Sequence, residues 1–178
     1  ISPQTRTVLF APTWKQDEKG RNIFPFNVEE GEFLTAVSGI AGEQGAKFLM
    51  RAHLNSGTYP GSANTNVIAV PQGEFPDTEG VLLVSDVLIC DWSSIAFDFL
   101  LLDRPTIFLD VPHPFKKGLS LGPEYRFGPV VSDLNALLNT LSRCLADPAS
   151  YSATYGQSHR EIKRQIYGEY ADGRSAAR

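Results

Sequence analysis

The residues with the clearest chemical potential are Asp91-Trp92-Ser93-Ser94, which follow the apolar run Val87–Cys90 and lead into an apolar stretch of helical spacing that ends near Leu102. A serine at the first turn of a helix can cap it. The same helix end offers free backbone N–H groups and the positive end of the dipole, which together can hold a phosphate. An isolated Ser-Ser pair does no more than cap. Its place directly after a strand is what favours Ser93 and Ser94 as a phosphate-holding turn. Asp98 stands four residues beyond Ser94, one turn along on the same helix face. Its neighbours Ile95, Phe97, Phe99 and Leu100 are apolar, so its carboxylate needs a partner. Arg104, a neighbouring loop and the hydroxyls of a ligand are the alternatives.

Three further stretches end apolar runs in the same way. His53 follows Arg51-Ala52 and, as a cation or N–H donor, could neutralise charge on a departing phosphate. Arg51 could do similar work, although strand alternation turns it away from His53. Thr13, after Ala11-Pro12, could meet a phosphate through its hydroxyl and the amides behind it, with Lys15 adding charge. The Tyr125-Arg126-Phe127-Gly128 loop could line the same cleft or simply pack. His113 sits in a proline-rich loop without an evident partner, and His159, beside Arg160, Lys163 and Arg164, reads as part of a solvated helix face. There is no Walker-type loop, no Gly-x-Gly-x-x-Gly and no His/Cys spacing for zinc, so neither a metal nor another cofactor is expected.

These residues need elements to carry them. Apolar runs at 8–11, 47–52, 66–70, 87–90, 106–109 and 130–131 read as strands. Helical spacing marks 33–41, a short piece at 77–85, then 93–102, 134–145 up to Asp147-Pro148, and a last helix over 151–170. Strands alternating with helices, and apolar throughout, imply a Rossmann-like α/β fold, a parallel sheet with helices on both faces. In such sheets ligands bind at the carboxyl ends of the strands, where Thr13, His53 and Asp91–Ser94 fall.

The bulk properties agree with one domain over residues 1–178. The composition is 42% hydrophobic, 20% charged and 11% aromatic, that of a globular protein. A net charge of −4 supplies no basic field for nucleic acid. The two cysteines, Cys90 and Cys144, fall in different elements and fit a reducing compartment better than a disulfide framework. No apolar run reaches the roughly 18 residues of a membrane span. The first residue is Ile1 and the only methionine is Met50, which reads as a domain cut from a longer polypeptide.

Taken in order, Val8–Trp14, Arg51-Ala52-His53, the long block Val84–Phe99, Asp103-Arg104-Pro105 and Tyr170–Arg174 resemble the CDP-glycerol glycerophosphotransferase family, the teichoic-acid polymerase and primase-like enzymes. The central block is the specific one. The resemblance implies a GT-B architecture of two Rossmann-like domains, with this chain as the C-terminal, donor-binding half. It implies transfer of glycerol phosphate from CDP-glycerol to an acceptor hydroxyl, with CMP leaving. By that likeness His53 is catalytic, contacting the donor phosphates and stabilising the leaving group. Ser93, Ser94, Thr13 and Arg51 hold phosphates, and Asp98 and Asp91 meet ribose or glycerol hydroxyls.

The polymer or lipid-linked acceptor, and its base, would belong to an N-terminal domain. The family works at the cytoplasmic face of the cell membrane, which implies peripheral association. One departure is Leu54 after His53, where the family carries proline. Two other readings use the same residues: a GT-B glycosyltransferase taking a CMP-sugar or UDP-sugar, and a nucleotide-binding or interaction domain without transfer.

Overall fold

The computed structural model describes residues 5–13, 24–51, 66–113, 118 and 121–174. Six strands form one sheet: β1 (Thr7–Phe10), β2 (Lys47–Met50), β3 (Val67–Ala69), β4 (Val87–Cys90), β5 (Thr106–Leu109) and β6 (Val130–Val131). Every pairing is parallel, and the order is β3-β2-β1-β4-β5-β6. β1, β4 and β5 are buried at every position, as a strand covered on both faces must be.

Among the described residues, five α-helices cover the sheet: α1 (Glu30–Glu43), α2 (Thr78–Leu83), α3 (Ile95–Leu100), α4 (Leu134–Ala146) and α5 (Pro148–Tyr167). Side chains alternate along each strand and so divide the core in two. Val8, Phe10, Phe48 and Ile89 face α1 and α4, meeting Phe33, Val37, Leu137 and Leu141. Leu9, Leu49, Leu88 and Phe108 face the other way, towards Leu82 of α2, Phe99 of α3 and Ile162 of α5.

Three aspartates start three of the helices. Asp77 accepts from Gly80 N (3.0 Å), Asp133 from Ala136 N (2.8 Å) and Asp147 from Ser150 N (3.0 Å). Two sequence expectations change here. α4 ends before Asp147-Pro148 as expected, but α5 starts at Pro148 rather than at Tyr151, because the first helical position needs no N–H donor. α3 begins at Ile95 rather than at the serines.

His159 is the larger correction. It is 3% exposed rather than solvated. Its Nε2 lies 2.9 Å from Tyr151 Oη, which accepts the Thr106 N–H at 3.0 Å and lies 3.2 Å from Thr106 O. The side chain turns inward because one face of α5 packs on the segment before β6, where Phe127 meets the imidazole edge-on with centroids 4.7 Å apart. Burial lowers the His159 pKa to about 4; Asp103 opposes that shift and Lys163 adds to it. Gly128 completes this lock, since a Cβ there would stand 2.1 Å from Thr106 O.

Candidate functional site

The chain steps outward from β1 to β2 and β3 on one side of the sheet, and from β4 to β5 and β6 on the other. The connections leaving β1 and β4 therefore diverge and open a crevice at the carboxyl edge between them. Thr13 stands at the end of β1 and Asp91 at the end of β4, and the two close the floor of that crevice. The Thr13 N–H donates to Asp91 Oδ1 at 2.7 Å, and the Thr13 hydroxyl donates to the same oxygen. Just below, Ala11 N donates to Ile89 O at 3.0 Å, extending the ladder to the crevice. Asp91 is 4% exposed, so its carboxylate is held by the protein as well as by its position.

The next three residues form the turn into α3. Trp92 Nε1 donates to Val111 O at 2.7 Å, tying this turn to the connection after β5. Ser94 is the residue before α3, but its side chain makes no capping bond. Neither serine hydroxyl has a hydrogen-bond partner among the described residues. The turn closes through main-chain bonds instead, Ala96 N to Ser93 O (3.2 Å) and Phe97 N to Ser94 O (2.9 Å). The expected cap is thus replaced by two hydroxyls that remain available at a helix start.

The other anticipated residues are placed differently. Arg51 is buried and points to the α2 side of the sheet, as alternation from Leu49 requires. It donates to Phe75 O (2.9 Å), Thr78 Oγ1 (2.8 Å) and Val70 O (3.4 Å), so it fastens the β3–α2 connection. Burial lowers its pKa, with Asp77 opposing. Asp98 is exposed on α3 beside Glu79 and Tyr167. Partial burial and then Glu79 raise its carboxyl pKa. Arg104 is not its partner: that guanidinium donates to Leu83 O (2.7 Å) and Ser85 O (2.6 Å). The structure therefore joins Thr13, Asp91 and the serine turn, and sets Arg51 and Asp98 to the α2 side of that group. His53 and Lys15 lie outside the described residues.

A cluster that sequence reasoning did not assemble stands behind the turn. The Arg126 guanidinium lies 4.0 Å from the centre of the Trp92 ring. It donates to Leu109 O at 3.2 Å and stands 3.6 Å from Asp110 Oδ1. His113 meets the Trp92 indole edge-on, with centroids 6.2 Å apart. Nothing in the local spacing signals this, because Trp92 and Arg126 come from separate connections. Among the described residues, no group of three or more His, Cys, Asp or Glu side chains comes together as a metal site would require.

The sheet order and the crevice define a Rossmann-like domain of the GT-B kind, with its polar groups at the switch point. More particularly, the chain belongs to the CDP-Glycerol:Poly(glycerophosphate) glycerophosphotransferase family, which matches residues 1–178. It is 30% identical over 144 residues to a teichoic acid glycerol-phosphate transferase of Staphylococcus aureus, covering 78% of this chain and 36% of that protein. Its fold is similar to that of the wall teichoic acid polymerase TagF, with a TM-score of 0.71 at 22% identity, over 97% of this chain and 42% of that one. It is also similar to the C-terminal CMP-Kdo binding domain of WaaA from Acinetobacter baumannii. There the TM-score is 0.56 at 14% identity, over 91% and 92% of the two chains. The chain spans between 14% and 36% of the length of the curated relatives it matches. No helix among the described residues is long and apolar enough to cross a membrane.

Proposed function

We propose that this domain binds CDP-glycerol, or a closely related cytidine nucleotide donor, and supplies the donor half of a glycerol-phosphate transfer to an acceptor hydroxyl of a cell-wall or capsule polymer. The observation that carries the reading is the Thr13–Asp91 bond across the switch point beside two uncapped serines. Family membership supports this choice of donor.

In this reading Ser93, Ser94 and the amides opening α3 take the diphosphate. Thr13 bounds the crevice on the β1 side, and Asp91 acts through Thr13 as well as on the donor. Asp98 meets a hydroxyl of the ribose or glycerol from the rim, and Arg51 supports the neighbouring connection while adding positive charge beneath it. The acceptor oxygen attacks the glycerol-bearing phosphorus and the bond to the bridging oxygen breaks. The electron pair departs on CMP, and the acceptor proton passes to a base on a separate, N-terminal acceptor domain. His53, as a cation or N–H donor, stabilises the charge on the departing CMP phosphate. A lipid-linked or polymeric acceptor locates this work at the inner face of the cell membrane.

Calorimetric titration with CDP-glycerol, CMP-sialic acid and UDP-N-acetylglucosamine tests the reading. The expected result is a preference for cytidine ligands that weakens in His53→Ala. Equal affinity for the uridine ligand, or no binding of CDP-glycerol, would overturn it.

A further inference from the structure

We propose that Arg126 is a positioning residue for the donor-phosphate turn, acting through the face of the Trp92 indole; the inference rests on the reading of Ser93 and Ser94 as the phosphate-holding pair. The Arg126 side chain is 8% exposed. Its Nε is buried without a hydrogen-bond partner, and its only ion-pair partner among the described residues, Asp110, is 61% exposed at 3.6 Å. A buried guanidinium with an unmet donor and a solvated counter-ion is a poor source of stability. What the group does do is cover one face of Trp92 at 4.0 Å, while its Nη2 is anchored on Leu109 O.

Trp92 is thereby held on three sides. Arg126 lies on its face, Val111 O takes its N–H at 2.7 Å, and His113 stands against its edge. The main chain of Trp92 continues directly into Ser93 and Ser94, so a fixed indole leaves the following peptides a narrow choice of orientation. Asp91 fixes the other end of the same turn through Thr13. Planarity is the property required: lysine would keep the charge but offer no flat group to stack. Arg126 also belongs to the segment before β6, so the stack links that segment and the end of β5 to the turn.

The test is CDP-glycerol titration of the full-length protein with Arg126→Met, Arg126→Lys, Trp92→Ala and the double variant Arg126→Met/Trp92→Ala, below the thermal midpoint of each. In a background whose other tryptophans, Trp14 among them, are replaced by phenylalanine, Trp92 is the sole indole and its fluorescence anisotropy reports how firmly it is held. Both Arg126 variants are expected to lose affinity about tenfold and to lower that anisotropy. The double variant is expected to bind no more weakly than Trp92→Ala alone, as groups acting in one chain do. Additive losses, restored affinity in Arg126→Lys, or unchanged affinity in both folded variants would overturn the proposal. If Arg126→Met does not fold, Arg126→Lys carries the comparison, since it keeps the buried charge. A wild-type protein that fails to bind CDP-glycerol removes the functional reading and this inference together. A wild type that binds while the Arg126 variants match it removes this inference alone.

Discussion

The two edges of the sheet are built on opposite plans. At the amino edge of β5, Thr106 offers its main-chain N–H and C=O to Tyr151, and His159 and Gly128 complete a closed lock in which Thr106, Tyr151 and His159 are buried. At the carboxyl edge, the turn after β4 is fastened at Asp91 and Trp92, yet the two serines between that anchor and α3 keep their hydroxyls unengaged. Both edges satisfy buried polar groups from distant parts of the chain. Of these two described clusters, the one at the carboxyl edge leaves hydroxyls for something else to meet. In the proposed function, stability and ligand binding are thus carried by opposite edges of the same sheet.

The sharpest way to break that division is Gly128→Ala. The added Cβ would meet Thr106 O at 2.1 Å and Tyr151 Oη at 2.7 Å, and a main-chain oxygen in a sheet has no room to retreat. A loss of about 3 kcal/mol or more is expected, a fall of roughly 6–12 °C in thermal midpoint. CDP-glycerol affinity of the protein that remains folded should be unchanged; a matching loss of affinity would show that the edges are coupled.

Acid should reach the same lock. His159 is neutral in the folded protein, with a pKa near 4 against an ordinary value near 6.5. Between these values the unfolded chain binds the extra proton, so stability is fullest above about pH 6.5 and declines as pH falls towards 4. The decline is on the order of 2–3 kcal/mol. Denaturant midpoints from pH 7 to 4 should show it, and His159→Gln should flatten that part of the profile.

At the carboxyl edge, Thr13→Val keeps the main-chain bond to Asp91 but removes the hydroxyl. Stability should fall by about 1 kcal/mol, whereas CDP-glycerol affinity should fall in greater proportion. A purely structural bond would move both alike. The smallest effect belongs to the rim of the amino edge, where Lys163 pairs with the exposed Asp103 at 2.7 Å. Lys163→Met should cost about 0.5 kcal/mol or less by thermal denaturation and leave binding unaltered.

Much of the fold was legible because buried parallel strands are written as apolar runs. Val87–Cys90, Thr106–Leu109 and Val130–Val131 emerge at their expected limits. The site was legible in part. Asp91, Ser93, Ser94 and Thr13 stand together at the carboxyl edge, as their places after β4 and β1 suggest. The role of serine as a cap was not realised, because main-chain bonds close the turn. The partners of Arg51, Phe75 and Thr78, were not legible because they come from the next connection. His159 looked solvated among charged neighbours, since a charged sequence context does not reveal the one helix face that packs inward.

By itself, the sequence determined where most strands and helices form and that Thr13 and Asp91–Ser94 fall at the strands' carboxyl ends. Those follow from local periodicity and from the obligation to bury apolar faces. Tertiary structure alone decided that β1 lies beside β4, which brings Thr13 to Asp91 across 78 positions and Arg126 to Trp92 from another connection. The reason is that strand order and side-chain partnership depend on how whole layers pack, which no local spacing records.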